Sequence, residues 1–324
     1  MGSARTCAGW EPLSARRAIA HYASLVAHRL ILDVSSLMYR SHFALGDSVR
    51  TADGRQIGAL HGYLDMVARL VKSRRPDEVV HAYDHDWRPV ARTDLYAGYK
   101  ATRAVDPEGL PEQFVLLREV LEHTGMLQAQ SPDWEAEDAI GAFCVDAGAA
   151  DLVEVVSGDR DLIQLVRDPV VKLLFTVRGV SELLELDEAA VLEKYGVPAD
   201  RYGEFAILRG DPSDELPGVP GVGEKTARAL VQAYPSIDAM LEDAASASPQ
   251  AGPLKGKPGL RSKLLGARDY LDVMRQLVPI KVDAKLELWA GERDDEALKA
   301  LADGLGVKGP AQRMMAAVDS AGAA

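Results

Sequence analysis

Cysteine is scarce in this sequence, and long apolar runs are absent. The 324 residues include two cysteines, Cys7 and Cys144, which are too few and too far apart for a disulfide framework or a zinc site. Cys144 lies in an apolar helical stretch and is interpreted as a core residue. No apolar run approaches the roughly 20 residues that a membrane-spanning helix needs. The sequence therefore predicts a globular protein of the reducing cytoplasm, with no membrane partner.

Residues 1–28 lack the features of a secretory signal. They are rich in Ala and Arg, with Glu11 as the one acid, and they contain neither a long apolar core nor a clean cleavage site. We expect a poorly ordered extension or an upstream translation start. A transit peptide is the alternative.

Positive charge is under-represented. The chain has 37 Lys and Arg against 49 Asp and Glu, a formal net charge of −12, which taken alone argues against a nucleic-acid partner. That argument weakens if the acids are concentrated in a metal site, because bound cations reverse the local field. The distribution of the acids therefore matters more than their sum.

Apolar runs alternate with helical patterns in the first half of the chain. Buried strands are predicted over 29–36, 78–84, 151–159 and 168–175. Helices are predicted over 56–73, 111–125 and 134–147. This alternation predicts an α/β fold with a mainly parallel central sheet flanked by helices.

Two regions depart from the alternation. Residues 86–110 are polar, basic and aromatic without an apolar stripe, so we predict a mobile or solvent-facing insertion there. After residue 186 the pattern becomes almost wholly helical. We therefore divide the chain into an extension (1–28), an α/β domain (29–186) and a helical region (187–324).

Acidic residues collect where the predicted strands end. Asp33, Asp84 and Asp159 close three strands, and in parallel sheets these ends form the ligand-binding edge. Nearby helices and turns add Glu135, Glu137, Asp138, Asp161, Asp211 and Asp214. Clustered carboxylates repel without a cation, and an oxygen-only set without His or Cys favours Mg²⁺ or Mn²⁺ over zinc. So many acids can hold two or more ions, an arrangement that predicts a phosphodiester substrate.

Residues 210–227 read GDPSDELPGVPGVGEKTA. Gly221 and Gly223 would let the backbone approach a ligand closely, and a helix beginning near Glu224 would expose free amides and its positive dipole end. Lys225 and Thr226 add a cation and a hydroxyl. We interpret 211–232 as a hairpin between helices that holds a nucleic-acid backbone without reading sequence. A solvated turn that caps a helix is the alternative.

Five stretches resemble, in order, the motifs of the 5′-nuclease family, which comprises the 5′→3′ exonuclease domain of bacterial DNA polymerase I, phage exonucleases and flap endonucleases. They are LDVSSLMYRSHFA, YD with GYKATR, EAEDAIG, VVSGDRDLIQLV and GDPSDELPGVPGVGEKTA. The resemblance implies a stand-alone, metal-dependent 5′→3′ exonuclease and structure-specific flap endonuclease of the bacterial cytoplasm. Such an enzyme would act in DNA replication and repair and leave 5′-phosphate and 3′-hydroxyl ends.

The resemblance also implies residue roles at the acidic site. A first metal site would be built by Asp33, Asp84, Glu135, Glu137 and Asp138, and a second by Asp159, Asp161, Asp211 and Asp214. Residues 86–110 would form a helical arch that passes the single-stranded 5′ end. In that arch Arg92 and Tyr99 would contact DNA, and Lys100 and Arg103 would act catalytically. A solvated charged helix is the alternative for these arch residues.

For the hairpin, the resemblance implies a helix–three-turn–helix motif that holds duplex DNA around a monovalent cation such as K⁺. The contacting residues would be Gly221, Gly223, Lys225 and Thr226. The implied partners are DNA with 5′ flaps, nicks or overhangs and, functionally, a DNA polymerase or ligase. The protein would be a monomer.

Three motifs depart from the family pattern. EAED replaces the common EADD, so Glu137 is one methylene longer than the family's residue. The second strand end reads YDHD without the family's lysine, for which Arg88 is the candidate substitute. DELPG replaces DNIPG and adds Glu215. None of these changes removes an acid, so we expect an active enzyme.

Two other functions are compatible with parts of the sequence. A ribonuclease with a related fold would explain the sheet and the acids, although the hairpin favours duplex DNA. A catalytically silent binder of DNA structures would explain the hairpin, although the full set of acids argues against it. A basic stretch over 255–268 is interpreted either as a track for the duplex or as a solubilising loop.

Overall fold

The central element of the fold is one seven-stranded sheet, seen in a computed structural model that describes residues 28–247 and 252–322. The strands are β1 (His28–Asp33), β2 (Glu78–Tyr83), β3 (Leu127–Gln130), β4 (Leu152–Ser157), β5 (Val171–Arg178), β6 (Glu182–Leu186) and β7 (Glu287–Trp289). Their order is β6-β5-β4-β1-β2-β3-β7. The five inner strands run parallel, and β6 and β7 close the two edges in the antiparallel direction. The predicted α/β class with a mainly parallel sheet is confirmed.

Thirteen α-helices accompany the sheet within the described ranges. In the first half they are α1 (Val34–Leu45), α2 (Gly58–Arg74), α3 (Val90–Leu95), α4 (Leu110–Glu122) and α5 (Ala136–Asp146). The middle of the chain forms α6 (Glu188–Tyr195), α7 (Tyr202–Arg209), α8 (Glu224–Ala233), α9 (Ile237–Ala245), α10 (Pro258–Gly266) and α11 (Arg268–Leu277). The chain ends with α12 (Asp295–Leu305) and α13 (Lys308–Gly322). None of the helices in these ranges is long and apolar enough to cross a bilayer.

Both faces of the sheet are buried, because the inner strands are apolar on both sides. Ile31, Val80 and Val155 face a core formed with α5 and the helices of the middle region. Leu30 and Val156 face a second core formed with α1, α2, α4, α12 and α13. Near-continuous apolar strands predicted this two-sided burial, and the three-layer arrangement follows from it.

Several elements differ from the sequence prediction. The strand predicted over 29–36 ends at Asp33, because the Asp33 side chain caps α1 by accepting a hydrogen bond from the Ser36 amide at 3.0 Å. Strands β3, β6 and β7 carry too many polar residues, or are too short, to show an apolar run. The extension predicted over 1–28 lies outside the described residues except for His28, which begins β1.

The end of the chain returns to the sheet instead of extending the helical region. Strand β7 pairs with β3 through the register Gln128–Trp289. Leu298 and Met314 then join the core that contains α2. This differs from the expected helical region over 187–324, since residues from 287 onward complete the α/β layer structure.

Candidate active site

The carboxylates of Asp33, Asp84 and Asp159 lie near one another at one edge of the sheet, since the charges of Asp84 and Asp159 both act on Asp33. Strands β4, β1 and β2 are adjacent and parallel, so the residues that follow them meet at the carboxyl edge. The Asp33 carboxylate accepts a hydrogen bond from the Ser157 hydroxyl at 2.5 Å. The Asp84 carboxylate accepts from the Ser35 hydroxyl at 2.5 Å and from the Ala136 amide at 2.7 Å. These bonds fix both carboxylates and connect the strand ends to α1 and α5.

The start of α5 adds three more carboxylates. Glu135 caps the helix, and its side chain and that of Asp138 form a capping box with each other's backbone amides, which satisfies amides that would otherwise be unpaired. Asp138 also accepts from the backbone amide of Lys281 at 2.8 Å. Glu135 and Asp138 of the EAED motif are therefore placed by helix-capping geometry, which holds them rigidly.

Two buried cations from the 86–110 segment enter this acidic cluster. The Arg92 guanidinium contacts all three carboxylates of the EAED motif, at 2.8 Å for Glu137 and Asp138. The Lys100 ammonium pairs with Glu135 and lies 3.6 Å from Asp214. The prediction of a solvent-facing segment is therefore wrong at these positions, because paired carboxylates draw both side chains inside.

Tyr99 is also buried, which corrects its expected exposure in an arch. Its side chain is 2% exposed, and its hydroxyl donates to Glu135 at 2.6 Å. A base cannot stack on the ring in this arrangement. Arg103 does lie on the surface, with its guanidinium 5.8 Å from the centre of the Trp87 ring.

Two residues at positions where the sequence departs from the family pattern, Arg88 and Glu215, hold the 86–110 segment in place. The Arg88 guanidinium donates to the backbone carbonyls of Tyr99 and Ala97 at 2.7 and 2.8 Å, so it supports the segment and does not reach into the cluster as a substitute lysine would. Glu215 accepts from the amide and hydroxyl of Thr102, both at 2.6 Å. The carboxylate of Glu215 therefore binds the 86–110 segment to the hairpin loop.

Glu137 is the carboxylate shared by two groups of possible metal ligands. Oxygens of Glu135, Glu137 and Asp138 lie within 4.8 Å of one another, as do oxygens of Glu137, Asp159 and Asp161. Such separations allow one ion to be held by three carboxylates. Glu137 therefore belongs both to the group at the start of α5 and to the group in the turn after β4. It is also the residue that is longer here than in the family pattern.

The loop after α7 brings two further acids to the cluster. The Asp211 carboxylate accepts from the Ser213 amide at 2.9 Å. Burial raises the pKa of Asp161, and the charges of Asp159, Asp214 and Asp211 raise it further. All nine acids predicted for the metal sites therefore belong to one connected region.

Burial and mutual repulsion raise the pKa of several carboxylates in the region. Burial, with the neighbouring Asp84 charge, raises the pKa of Asp33 to about 7. Burial raises the pKa of Asp214 to about 6, even though the Lys100 ammonium acts in the opposite direction. Arg92 and Lys100 cannot neutralise nine carboxylates. The oxygen-only donors and this excess of negative charge fit hard divalent cations.

The hairpin predicted over 211–232 is built on close backbone contacts. A Cβ at Gly218 would lie 2.6 Å from the Arg209 carbonyl, and the residue has a φ of 70°, so a side chain is excluded there. Val219 and Val222 anchor the turn in the core. Between and beyond them, Gly221, Gly223 and Lys225 are exposed.

The exposed side of the hairpin combines several features of a backbone-binding surface. Helix α8 begins at Glu224 after Gly223, as predicted, and Thr226 is half-buried in its first turn. The Lys263 side chain reaches over Gly221, since a Cβ there would lie 2.3 Å from the Lys263 ammonium nitrogen. This contact places part of the basic stretch over 255–268 beside the hairpin.

Sequence reasoning missed the hydroxyls that orient the acids. Ser36 accepts from the Gly158 amide at 2.8 Å, and Ser157 and Ser35 donate to the acids named above. The signal was present as serines directly beside the strand-end aspartates in LDVSS and VVSGD. Short hydroxyl side chains next to strand-end carboxylates are suited to holding them in place.

The comparisons with known proteins agree with this geometry. Residues 28–196 match the family described as 5′-3′ exonuclease, N-terminal resolvase-like domain, and residues 197–296 match its C-terminal SAM fold. The chain is 40% identical over 303 residues to a 5′-3′ exonuclease of Streptomyces coelicolor, which covers 88% of this chain and 98% of the relative. It is 35% identical over 272 residues to DNA polymerase I of Mycobacterium tuberculosis, covering 82% of this chain and 29% of the polymerase.

Two solved structures share the fold at low sequence identity. The T5 D15 protein co-crystallised with metal ions has a TM-score of 0.59 and 18% identity, covering 91% of this chain and 99% of that one. The catalytic core of Rad2 in complex with DNA substrate has a TM-score of 0.57 and 16% identity, covering 96% and 95%. The two domains of this family match residues 28–196 and 197–296, and the Streptomyces coelicolor relative is matched over 98% of its length. The chain therefore belongs to the 5′-3′ exonuclease family.

Proposed function

We propose that this 5′-3′ exonuclease hydrolyses DNA phosphodiesters at junctions between single and double strands, both as an exonuclease and as a flap endonuclease. The observation that carries the proposal is the joining of two carboxylate groups at Glu137, beside an exposed hairpin suited to duplex backbone. Products would carry a 5′ phosphate and a 3′ hydroxyl. The DNA in the Rad2 structure and the metal ions in the T5 protein structure support the proposal by analogy of fold.

The metal ligands in this proposal are the nine acids already described. Divalent ions held there, Mg²⁺ or Mn²⁺, would supply a water of lowered pKa and stabilise charge on the phosphodiester oxygens. Asp33, Asp84 and the EAED acids would hold one position. Asp159 and Asp161, with Asp211 and Asp214, would hold the other, and Glu137 would serve both.

The protein's own cations complete the chemistry. Lys100 lies between the two acid groups, where its ammonium can neutralise a scissile phosphate that enters the cluster. Arg92 keeps the EAED acids in place, because it contacts all three. Arg103, exposed beside Trp87, would steer phosphates of the 5′ strand toward Lys100.

The hairpin would hold the duplex behind the cleaved junction. Gly221 and Gly223 permit close approach of phosphates to the α8 amides, and Lys225 with Lys263 adds charge on the same side. A monovalent cation such as K⁺ at the hairpin carbonyls would strengthen this grip. We further propose a monomer that acts in the bacterial cytoplasm alongside a DNA polymerase or ligase.

The test uses a 5′-flapped DNA duplex labelled at the 3′ end of the flapped strand. Cleavage near the junction is expected with Mg²⁺ or Mn²⁺ and not with EDTA, and fragment lengths separate endonuclease from exonuclease action. A flap of RNA on the same duplex tests the ribonuclease alternative. Retained binding without cleavage of either flap would reject the proposal.

A further inference from the structure

Arg40 lies at the acidic site but plays no part in the arrangement described so far. It is on α1, and its guanidinium packs over Gly158, the residue between Ser157 and Asp159 in the turn that follows β4. A Cβ at position 158 would lie 2.3 Å from Arg40 Nη2, so the turn needs glycine for Arg40 to lie there. The turn is tied to α1 by the bond from the Gly158 amide to Ser36.

Arg40 has no carboxylate within salt-bridge distance in the part of the chain that the structure describes. Its Nη1 donates a long hydrogen bond to the Val177 carbonyl, at 3.5 Å. The side chain is half-buried, and burial lowers the pKa of its guanidinium. By contrast, Arg92 and Lys100 are each paired with carboxylates. The Arg40 guanidinium therefore makes no direct ion pair that an anionic ligand would have to displace.

The position of Arg40 relative to the acids suggests the ligand. Helix α1 packs on one face of the sheet, and Tyr99, next to Lys100, belongs to the core on the other face. Arg40 and Lys100 therefore flank the acidic edge from opposite sides. The guanidinium lies against the turn that carries Asp159, so a strand whose phosphate enters the acidic cluster would bring a neighbouring phosphate within its reach.

We infer that Arg40 binds a phosphate of the same DNA strand that is cleaved, on the side of the acidic edge away from Lys100. The guanidinium would donate to two non-bridging phosphate oxygens, a geometry for which Arg is better suited than Lys. The contact is to backbone, so it would position the strand without sequence preference. This inference rests on the proposed action on DNA, but its test measures binding and not turnover.

The test compares Arg40→Gln with the parent protein in an Asp161→Asn background, with Mg²⁺ and a flapped duplex read by fluorescence anisotropy. Loss of one charge-assisted contact should weaken binding about tenfold. The slope of log affinity against log salt should become shallower by about 0.9. Arg40→Lys should retain the salt slope and lose affinity by a smaller factor. Arg69→Gln, an exposed arginine on α2, is the matched control and should bind like the parent.

A series of substrates with one neutral methylphosphonate at successive positions locates the contact. The parent should be sensitive at one phosphate near the junction to which Arg40→Gln has become insensitive. Equal losses for both proteins at every position would overturn the inference, as would unchanged affinity in a variant whose thermal melting matches the parent. If the unmutated protein fails to cleave any flap while this scan still locates the Arg40 phosphate, the proposed cleavage fails and the contact of Arg40 with the flapped strand stands.

Discussion

The acidic centre and the hairpin both face the proposed DNA, yet their side chains are placed in opposite ways. Asp33 and Glu135 are buried, and each accepts several hydrogen bonds or ion pairs. Gly221, Gly223 and Lys225 are exposed, and the turn that carries them is anchored from below by Val219 and Val222. In the acidic centre, contacts fix the charged groups in place, whereas in the hairpin the backbone and the charged side chain stay accessible.

The difference follows from what each region would have to do. Phosphodiester hydrolysis depends on oxygens held at fixed positions before the substrate arrives, so hydroxyls and helix amides hold the carboxylates. Holding a duplex in any sequence depends on reaching its phosphates, so the hairpin exposes small residues and a lysine. Perturbing the first region should therefore alter turnover, and perturbing the second should alter binding.

Removing divalent ions should have the largest effect, and it should affect turnover far more than binding. In excess EDTA we expect no cleavage of the flapped duplex, because the cluster lacks the charge that its carboxylates need. Binding, measured by anisotropy, should fall only a few-fold, since the hairpin does not depend on those ions. Adding Mg²⁺ or Mn²⁺ in excess should restore turnover. Cleavage that continues in the chelator would contradict the metal-dependent assignment.

Replacing a single acid should come next. Asp161→Asn removes one ligand charge from the Glu137, Asp159 and Asp161 group, and we expect kcat to fall by about 10³-fold or more, which corresponds to about 4 kcal/mol of transition-state stabilisation. The dissociation constant for DNA should change little. Asp269→Asn, an exposed acid on α11, is the matched control and should leave kcat unaltered. A parallel loss of binding with the fold intact would show that Asp161 does not work as proposed.

How much the sequence predicts depends on the range over which the contacts act. Asp33, Asp84 and Asp159 could be placed together because each follows an apolar run, and parallel strands bring their ends to one edge. The start of α8 could be placed because glycines and a first-turn acid mark it locally. These features are encoded within a few residues of where they appear.

The features that escaped prediction depend on distant contacts. Strand β3 alternates polar Gln128 and Gln130 with apolar residues, and its pairing with β7 links Gln130 to Glu287 at 2.9 Å. Arg92, Tyr99 and Lys100 look solvent-facing in a polar segment, yet acids far along the chain bury them. The burial of a charged residue is set by its partner, and its partner is not visible in its own neighbourhood.

The buried counter-charge offers a test of stability within the acidic centre. Arg92→Met leaves three carboxylates without their guanidinium, and we expect the free energy of unfolding in EDTA to fall by about 3–5 kcal/mol. Mg²⁺ should recover part of that loss, because it would supply the missing positive charge. The measurement is urea denaturation with and without the ion. Arg313→Gln removes an exposed pair with Asp65 and should cost less than about 1 kcal/mol. A loss for Arg92→Met that Mg²⁺ leaves unchanged would indicate a packing role alone.

The smallest expected effect concerns the exposed region. Lys225→Gln removes one cation from the first turn of α8, where its side chain is exposed. We expect KM for the flapped duplex to rise about two- to fivefold, because a single solvated phosphate contact contributes little, and the salt slope of binding to become shallower by about 0.9. Turnover at saturating DNA should stay at the parent value, since Lys225 does not contact the acidic cluster. Lys299→Gln, an exposed lysine on α12, controls for a general loss of charge. A drop in kcat with unchanged KM would contradict the assignment of turnover to the acidic centre and of binding to the hairpin. The hairpin would then act on the chemical step and not only on holding the duplex.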